Sequence, residues 1–193
     1  MFLFFCYYII GDRKMEKVII CLTIAIIALV IIMLINIYNK LQYSLIKLDK
    51  ADTNIEDALN KKYQILLRFI DFLNDNIKVN KEVFNDFYEI NLKSINNIKL
   101  SVKIDECYHE IKMYLDDHEK LLKNETLIGI NKELREVDIV INSCKKYYNN
   151  NLVTYNKLVK CFPSKLIAKI YKYKEKDFYP ENKEDSLKIL EKE

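Results

Sequence analysis

The longest apolar run of the chain extends from Val18 to Ile37, and Thr23 and Asn36 are its only polar residues. Helical residues rise about 1.5 Å each, so a run of this length matches the roughly 30 Å hydrocarbon core of a bilayer. A helix of a soluble protein is apolar along one stripe rather than all round. The pattern predicts a transmembrane helix over 18–37, with the lipid bilayer as its partner and residues 1–17 as an N-terminal segment.

Beyond the apolar run, hydrophobic side chains recur every three or four residues, which is the spacing of one helix face. The three stripes run from Leu41 to Leu73, from Ile104 to Leu122 and from Leu127 to Phe162. They predict three long helices over 38–76, 79–122 and 127–162, and a short fourth helix over 164–173. Because no Gly or Pro lies between Tyr38 and Gly129, we expect the transmembrane helix to continue into the first long helix.

These elements predict an all-α fold: an N-terminal transmembrane helix that continues into an antiparallel bundle of three long helices plus a short C-terminal helix. The bundle is expected to span 38–176, and 177–193 to form a charged, flexible tail. If the first helix leaves the membrane, the second returns and the third leaves again, Phe162 and Pro163 lie at a tip roughly 50 Å from the bilayer.

The segment after Pro163 interleaves lysines with apolar and aromatic residues. In isolation such a pattern is typical of an interfacial membrane helix or a nucleic-acid patch. Since the predicted tip is far from the membrane, we expect a helix that caps the open end of the bundle through Leu166, Ile167 and Ile170. A tip that docks a partner is the alternative.

Composition narrows the fold and the function further. The 193 residues include only two Gly and two Pro, which argues against a β-rich fold with its many turns. The five cysteines are odd in number and form no CxxC motif, so a disulfide scaffold is not expected and a reducing compartment is favoured. A net charge of +3 does not indicate nucleic-acid binding.

No combination of residues indicates catalysis, a cofactor or a metal. His109 and His118 are nine residues apart and would face opposite sides of a helix, so they do not converge on zinc. We expect His118 to lie half-buried between Leu115 and Leu122. Two glycines cannot form a phosphate-binding loop, and no nucleophile elbow is present. The sequence therefore predicts that the protein is not an enzyme.

Two charged residues, Asp52 and Lys62, fall on the apolar stripe of the first helix. Their side chains either extend to the edge of the stripe or pair with facing groups of another helix or a second protomer. Tyr148-Asn149 recurs seven residues later as Tyr155-Asn156, so both pairs share one helix face. We expect a structural polar layer there, in which Asn bonds across helices; a ligand site is the alternative.

Several segments resemble the LemA family. Tyr38-Asn39-Lys40-Leu41 and residues 55–63, IEDALNKKY, are similar to the family pattern YNxL…IDxxLxRRxDLIPNLV. The C-terminal segments 145–156 and 162–168 resemble its R-x-x-YN-x-x-V-x-x-YN…FPS…IA run. Three departures are Leu67 in place of the family proline, Asp52 in place of an aromatic residue and Lys145 in place of arginine. The candidate structural or interaction residues are the two charges on the first stripe and residues of the C-terminal segments: Asp52, Lys62, Tyr148, Asn149, Tyr155, Asn156, Phe162 and Pro163.

The resemblance implies a single-pass helical protein of the bacterial cell membrane with no established enzymatic activity. It suggests a non-enzymatic scaffold or adaptor for unidentified protein partners; the alternative is a sensor or regulatory subunit of an envelope peptidase or stress pathway. A homo-oligomer is left open. Lysines flank the apolar run on both sides, but a translation start at Met15 rather than Met1 would favour a cytoplasmic bundle.

Overall fold

A computed structural model describes residues 2–77, 84–90, 92, 95–116 and 118–180, and within them it is all-helical. The predicted all-α fold is confirmed. Its helices are α1 (Phe2–Ile77), α2 (Asn85–Tyr88), α3 (Asn97–Asp116), a 3-10 helix (Glu119–Lys123), α4 (Glu125–Lys160) and α5 (Ser164–Ile170).

Helix α1 is the one described helix that is long and apolar enough to cross a membrane. Its most apolar window has a mean hydropathy of 3.5 and no buried side chain. Leu29, near the middle of the run, is 67% exposed. An apolar surface of this length without a protein cover suits contact with lipid, so α1 is a candidate membrane-spanning helix.

The predicted stripe on α1 and the predicted stripe on α4 as far as Tyr155 form the hydrophobic core. The predicted end of the third stripe is wrong, because α4 ends at Lys160 and Phe162 is 81% exposed. Leu48, Ile55, Leu66 and Leu73 of α1 are at most 1% exposed, as are Leu127, Leu134 and Leu152 of α4. The second stripe is shorter than predicted, because α3 ends at Asp116. His118 and Leu122 are therefore exposed instead of buried in the stripe, and His118 Nδ1 lies 2.9 Å from the Tyr114 carbonyl oxygen.

Asparagine side chains set where two helices begin. The Asn96 carboxamide oxygen accepts a hydrogen bond of 2.7 Å from the Ile98 amide, so α3 starts at Asn97. Asn124 accepts from the Thr126 amide at 2.9 Å and caps α4 in the same way. Such caps satisfy backbone donors that the first helical turn leaves without partners.

The predicted second helix over 79–122 is therefore wrong in extent, because α3 covers only its C-terminal part; residues 79–83 lie outside the described residues. Its direction is also wrong. Asn97 Nδ2 donates to the Asp52 carbonyl oxygen at 3.4 Å, and Asp105 pairs with Lys62 further along, so α3 runs parallel to α1. Helix α4 is antiparallel to both, since Lys62 contacts Asp138 and Arg68 contacts Glu133.

The chain divides into two compact units, one made of residues 1–43 with 157–174 and one of 44–156 with 175–193. In the first unit the Tyr171 ring lies against Tyr38, with 4.9 Å between ring centroids, and Gln42 Nε2 donates to the Tyr173 hydroxyl. The prediction of a tip remote from the apolar run is thus wrong. Because the third long helix has the opposite direction to that expected, residues 157–174 pack beside the end of the run.

The C-terminal segment also differs from the expectation of a flexible tail from residue 177. Tyr179 is 1% exposed, although residues 173–180 form neither helix nor strand. Its phenol is hydrogen-bonded to Asp52 of α1 and its main chain to Asn149 of α4, and these contacts hold the segment in place. Residues 181–193 of the predicted tail lie outside the described residues.

Candidate functional site

A buried lysine occupies the centre of the second unit. The Lys62 side chain is 4% exposed, and its Nζ lies 2.7 Å from Asp105 Oδ1 on α3 and 2.8 Å from Asp138 Oδ1 on α4. The sequence allows two positions for the Lys62 side chain. The structure places it between the facing carboxylates of Asp105 and Asp138, and not at the edge of the stripe. The ammonium group therefore links three helices through charge-assisted hydrogen bonds.

A second lysine joins this group, which we call the charged layer: Lys62, Asp105, Asp138 and Lys145. Lys145 Nζ is 3.8 Å from Asp105 Oδ2, and its side chain is 11% exposed. Two cations and two carboxylates make the layer neutral overall. The lysine side chains are buried, whereas the side chains of Asp105 and Asp138 are 53% and 31% exposed. Lys145 occupies the position at which the family pattern has arginine. A cation is therefore retained there, and it contacts Asp105.

The two lysines respond to burial in opposite ways. Burial disfavours the ammonium form of Lys62, but the Asp105 and Asp138 carboxylates outweigh it and raise the pKa of Lys62 above its usual 10.5. Burial lowers the pKa of Lys145, and the nearby charge of Lys62 adds to that effect. The layer thus contains one firmly charged lysine and one that loses its proton more readily.

An open cavity of about 330 Å³ adjoins the charged layer. Its wall is polar and carries both signs of charge. The lining residues are Lys62, Asp105, Tyr108, His109, Lys112, Asp138, Ile141, Asn142 and Lys145. Two ammonium groups lie over the Tyr108 ring, Lys62 Nζ at 5.3 Å and Lys112 Nζ at 4.7 Å from the ring centroid. This arrangement stabilises the cations at the face of the ring and orients them.

The two Tyr-Asn pairs of α4 hold the C-terminal segment. Asn149 Nδ2 donates to the Tyr179 carbonyl oxygen and its Oδ1 accepts from the Tyr179 amide, both at 3.0 Å. Asn156 binds the Lys176 carbonyl and amide in the same way, at 2.9 and 3.1 Å. Each carboxamide therefore satisfies both backbone groups of one residue, as a neighbouring strand would.

The seven-residue spacing of the pairs has a geometric reason. Seven helical residues advance about 10.5 Å. The three residues from Lys176 to Tyr179 advance about 10 Å when extended. The spacing of Asn149 and Asn156 on α4 therefore matches the spacing of Tyr179 and Lys176 on a segment that runs antiparallel to α4. The carboxamides of Asn149 and Asn156 therefore bond to the main chain of the C-terminal segment. The expected bonds from one helix to another are not what these groups form.

Asp52 contacts the same segment from α1. Its Oδ1 accepts a hydrogen bond from the Tyr179 hydroxyl, while the Tyr179 ring packs edge-on against Tyr148 at 5.0 Å between centroids. Burial and the Asp52 carboxylate raise the pKa of the Tyr179 phenol, so it remains a hydrogen-bond donor at neutral pH. Tyr155 is 2% exposed and belongs to the core beside Asn156. The substitution of an aromatic residue by Asp52 gives the Tyr179 hydroxyl its acceptor.

Phe162 and Pro163 do not join the charged layer or the Tyr-Asn pairs. They belong to the first unit, where their peptide bond is cis and Phe162 is 81% exposed. Helix α5 follows and ends in a Schellman motif: Lys172 has φ 56°, and the Tyr173 amide donates to the Ala168 carbonyl oxygen at 2.9 Å. This turn directs Tyr173 to Gln42.

Sequence reasoning did not find several of the contacting residues. Asp105, Asp138 and Tyr179 lie on no apolar stripe, and only the unpaired charge of Lys62 on its stripe signalled that acidic partners were needed. Among the described residues, no three or more His, Cys, Asp or Glu side chains group so that they would hold a metal ion.

These features define a class of all-helical proteins. Its members combine one candidate membrane-spanning helix with a bundle in which Tyr-Asn pairs hold a C-terminal segment. The sequence profile described as LemA family matches residues 51–189, which is well over half of the chain. The chain belongs to the LemA family. Comparison with curated proteins found no match, and comparison with solved structures found none.

Proposed function

We propose that the protein is a membrane-anchored, non-enzymatic adaptor of the bacterial cell membrane that presents its helical bundle to protein partners. Residues 18–37 serve as the single anchor, supported by their length, their apolar character and their lack of protein cover. The bundle faces the cytoplasm, consistent with the free thiols of Cys107, Cys144 and Cys161.

The observation that carries the adaptor role is a set of exposed apolar side chains on α4, outside its buried stripe. Ile139 is 67% exposed, Val140 50% and Tyr147 50%, and the three lie within about two helical turns. We call them the outer cluster. Large apolar groups that stay in water and are flanked by polar residues are typical of a surface that binds another protein.

The charged layer supports a structural rather than catalytic role for the polar interior. Lys62 is held by two carboxylates at 2.7 and 2.8 Å, so each group is occupied by its partner. A fixed polar contact of this kind specifies how helices align. We therefore assign the layer to alignment of α1, α3 and α4, and the outer cluster to partner binding.

Co-purification of the intact protein from cross-linked membranes tests the adaptor role. We expect the wild type to recover one or a few membrane proteins, and the Ile139→Lys, Tyr147→Lys double variant to lose them. The matched control is Arg135→Glu with Lys146→Glu, which changes exposed charges on the same helix outside the cluster. Equal recovery by all three proteins would contradict the proposal. Recovery of a single envelope peptidase would favour a regulatory subunit instead.

Membrane orientation is tested separately by labelling with an impermeant maleimide. Cys161 is exposed in the folded protein, whereas Cys107 is 4% exposed, so Cys161 is the useful reporter. We expect no labelling of Cys161 in sealed cells and rapid labelling after permeabilisation. Labelling of Cys161 in sealed cells would place the bundle outside the cytoplasm.

A further inference from the structure

Residues 157–174, which we call the basic segment, are unlike the rest of the chain in charge. The segment contains six lysines and no acidic residue, whereas the whole chain has a net charge of only +3. The remainder of the chain therefore has a net charge of −3. A local concentration of lysine on an otherwise weakly acidic protein indicates attraction to an anionic surface.

Helix α5, in the middle of the basic segment, has two distinct faces. Ile167 and Ala168 are 7% and 1% exposed, whereas Leu166 and Ile170, four residues apart, are 55% and 71% exposed. The prediction that Leu166 and Ile170 would cap the bundle is therefore wrong. Ile167 and Ala168 are the buried apolar residues of α5, whereas the side chains of Leu166 and Ile170 are exposed to solvent.

Lysines border this exposed apolar face. Lys165 and Lys169 are exposed and lie one position before Leu166 and Ile170, so the charged and apolar residues share the outward side of α5. Phe162, just before the helix, is 81% exposed, and Tyr171, just after it, is 54% exposed. Basic residues beside apolar and aromatic ones form the pattern of a segment that lies in a membrane interface.

The first unit places this segment at the correct depth. Tyr38 follows the apolar run directly, and Gln42 is about 7.5 Å from the end of the run along the helix axis. The headgroup layer is about 5–8 Å thick on each side of the hydrocarbon core. Tyr171 contacts Tyr38, and Tyr173 accepts from Gln42, so the basic segment meets α1 at headgroup level. Tyrosine is enriched at this level of membrane proteins.

We propose that the basic segment is a second membrane contact, which binds anionic phospholipid headgroups of the bilayer that α1 spans and inserts Phe162, Leu166 and Ile170 among them. This proposal rests on the anchor of the proposed function. A second copy of the chain is the less suitable occupant, because two such segments would bring lysines together without any acidic residue between them.

The chain has no tryptophan, so one introduced indole reports its own surroundings. We would reconstitute the full-length Ile170→Trp variant into vesicles of phosphatidylcholine with or without phosphatidylglycerol, using lipids brominated near the headgroup end of the acyl chains as quenchers. Phe162→Trp is a second reporter that exchanges one exposed aromatic ring for another. Leu29→Trp, in matched vesicles of lipids brominated near the methyl end of the acyl chains, reports whether the anchor itself is inserted.

We expect quenching of both reporters and a blue-shifted emission, each stronger with phosphatidylglycerol. Adding Lys165→Gln and Lys169→Gln should lower the ratio of bound to unbound segment about 25-fold, at roughly fivefold per lysine. The matched control is Lys50→Gln with Lys61→Gln, two exposed lysines outside the segment, which should leave quenching unchanged.

The outcomes separate the two proposals. If Leu29→Trp is quenched but Ile170→Trp and Phe162→Trp are not, the segment does not contact lipid and the inference is overturned while the anchor stands. If Leu29→Trp is not quenched, the anchor itself fails. Emission of Ile170→Trp that depends on protein density rather than on lipid would identify a second copy as the occupant and overturn the inference.

Discussion

Asn149 on α4 binds both backbone groups of Tyr179, 30 residues further along the chain, through two hydrogen bonds of 3.0 Å. Both residues are buried, at 5% and 1% exposure. Removal of the carboxamide would leave a buried amide and a buried carbonyl without these bonds. The contact explains how a segment without helix or strand is held against the bundle.

Asn149→Ala should therefore destabilise the protein by about 2–4 kcal/mol, since each unsatisfied buried backbone group costs about 1–3 kcal/mol. Asn150→Ala is the control, because Asn150 is the exposed neighbour. Hydrogen exchange should accelerate in residues 175–180 of Asn149→Ala, with little change in α3. Unchanged exchange there would show that Asn149 does not hold the segment.

Lys62→Met should destabilise the bundle by about 1–3 kcal/mol, because it removes two charge-assisted hydrogen bonds to Asp105 and Asp138. Urea denaturation of the full-length protein in detergent measures this loss. Lys61→Met, at the exposed adjacent position, should change stability by less than about 0.5 kcal/mol. Adding Asp138→Asn to Lys62→Met should recover part of the loss, and purely additive losses would disprove the contact.

The difference in stability between the wild type and Lys62→Met should depend on pH in a defined way. The pKa of Lys62 is raised above 10.5 in the folded state, so its stabilising effect is complete below pH 10.5 and is lost as the pH rises through the folded pKa. The stability difference between wild type and Lys62→Met should be constant from pH 7 to 9.5 and shrink at higher pH. A difference that grows above pH 10.5 would contradict the raised pKa.

Gly129→Ala should stabilise the protein by about 0.5–1 kcal/mol, because glycine is less favourable than alanine inside a helix by about that amount. Gly129 lies within α4, its φ is not positive, and an added Cβ meets no atom within 4 Å. Thermal denaturation tests this. A loss of stability would mean that the surface beside Gly129 is covered in the native protein.

Cys107 should react with a thiol reagent much more slowly than Cys161. Burial raises the pKa of its thiol to about 12, so little thiolate is available, and the side chain is 4% exposed. Cys161 is exposed and should react first. Mass spectrometry after timed labelling gives the order. Reaction of Cys107 as fast as that of Cys161 under native conditions would indicate that α3 opens readily.

The sequence predicted the parts of the fold that depend on periodic burial. The stripes on α1 and α4 were correct because each buried residue recurs with the helix period, from Leu48 to Leu73 and from Leu127 to Tyr155. The direction of α3 was not predictable in this way. Its start depends on one capping contact of Asn96, and periodicity carries no information about which way a helix runs.

The candidate site was predicted less completely than the core. Lys62 stood out because a charge on an apolar stripe needs partners, but Asp105 and Asp138 are ordinary acidic residues in sequence. The repeat of Tyr-Asn after seven residues located one face of α4 correctly. Its targets, Lys176 and Tyr179, lie in a segment without periodicity, so only the tertiary structure identifies them.

The adaptor role is tested most directly by a photo-crosslinker in place of Tyr147, in full-length protein expressed in its own membrane. We predict a discrete crosslinked product with a membrane protein, lost when Ile139→Lys is added, and no such product from a crosslinker at the exposed Lys61. The same products at both positions, or none at Tyr147 while the protein remains in the membrane fraction, would contradict the assignment of the outer cluster to partner binding.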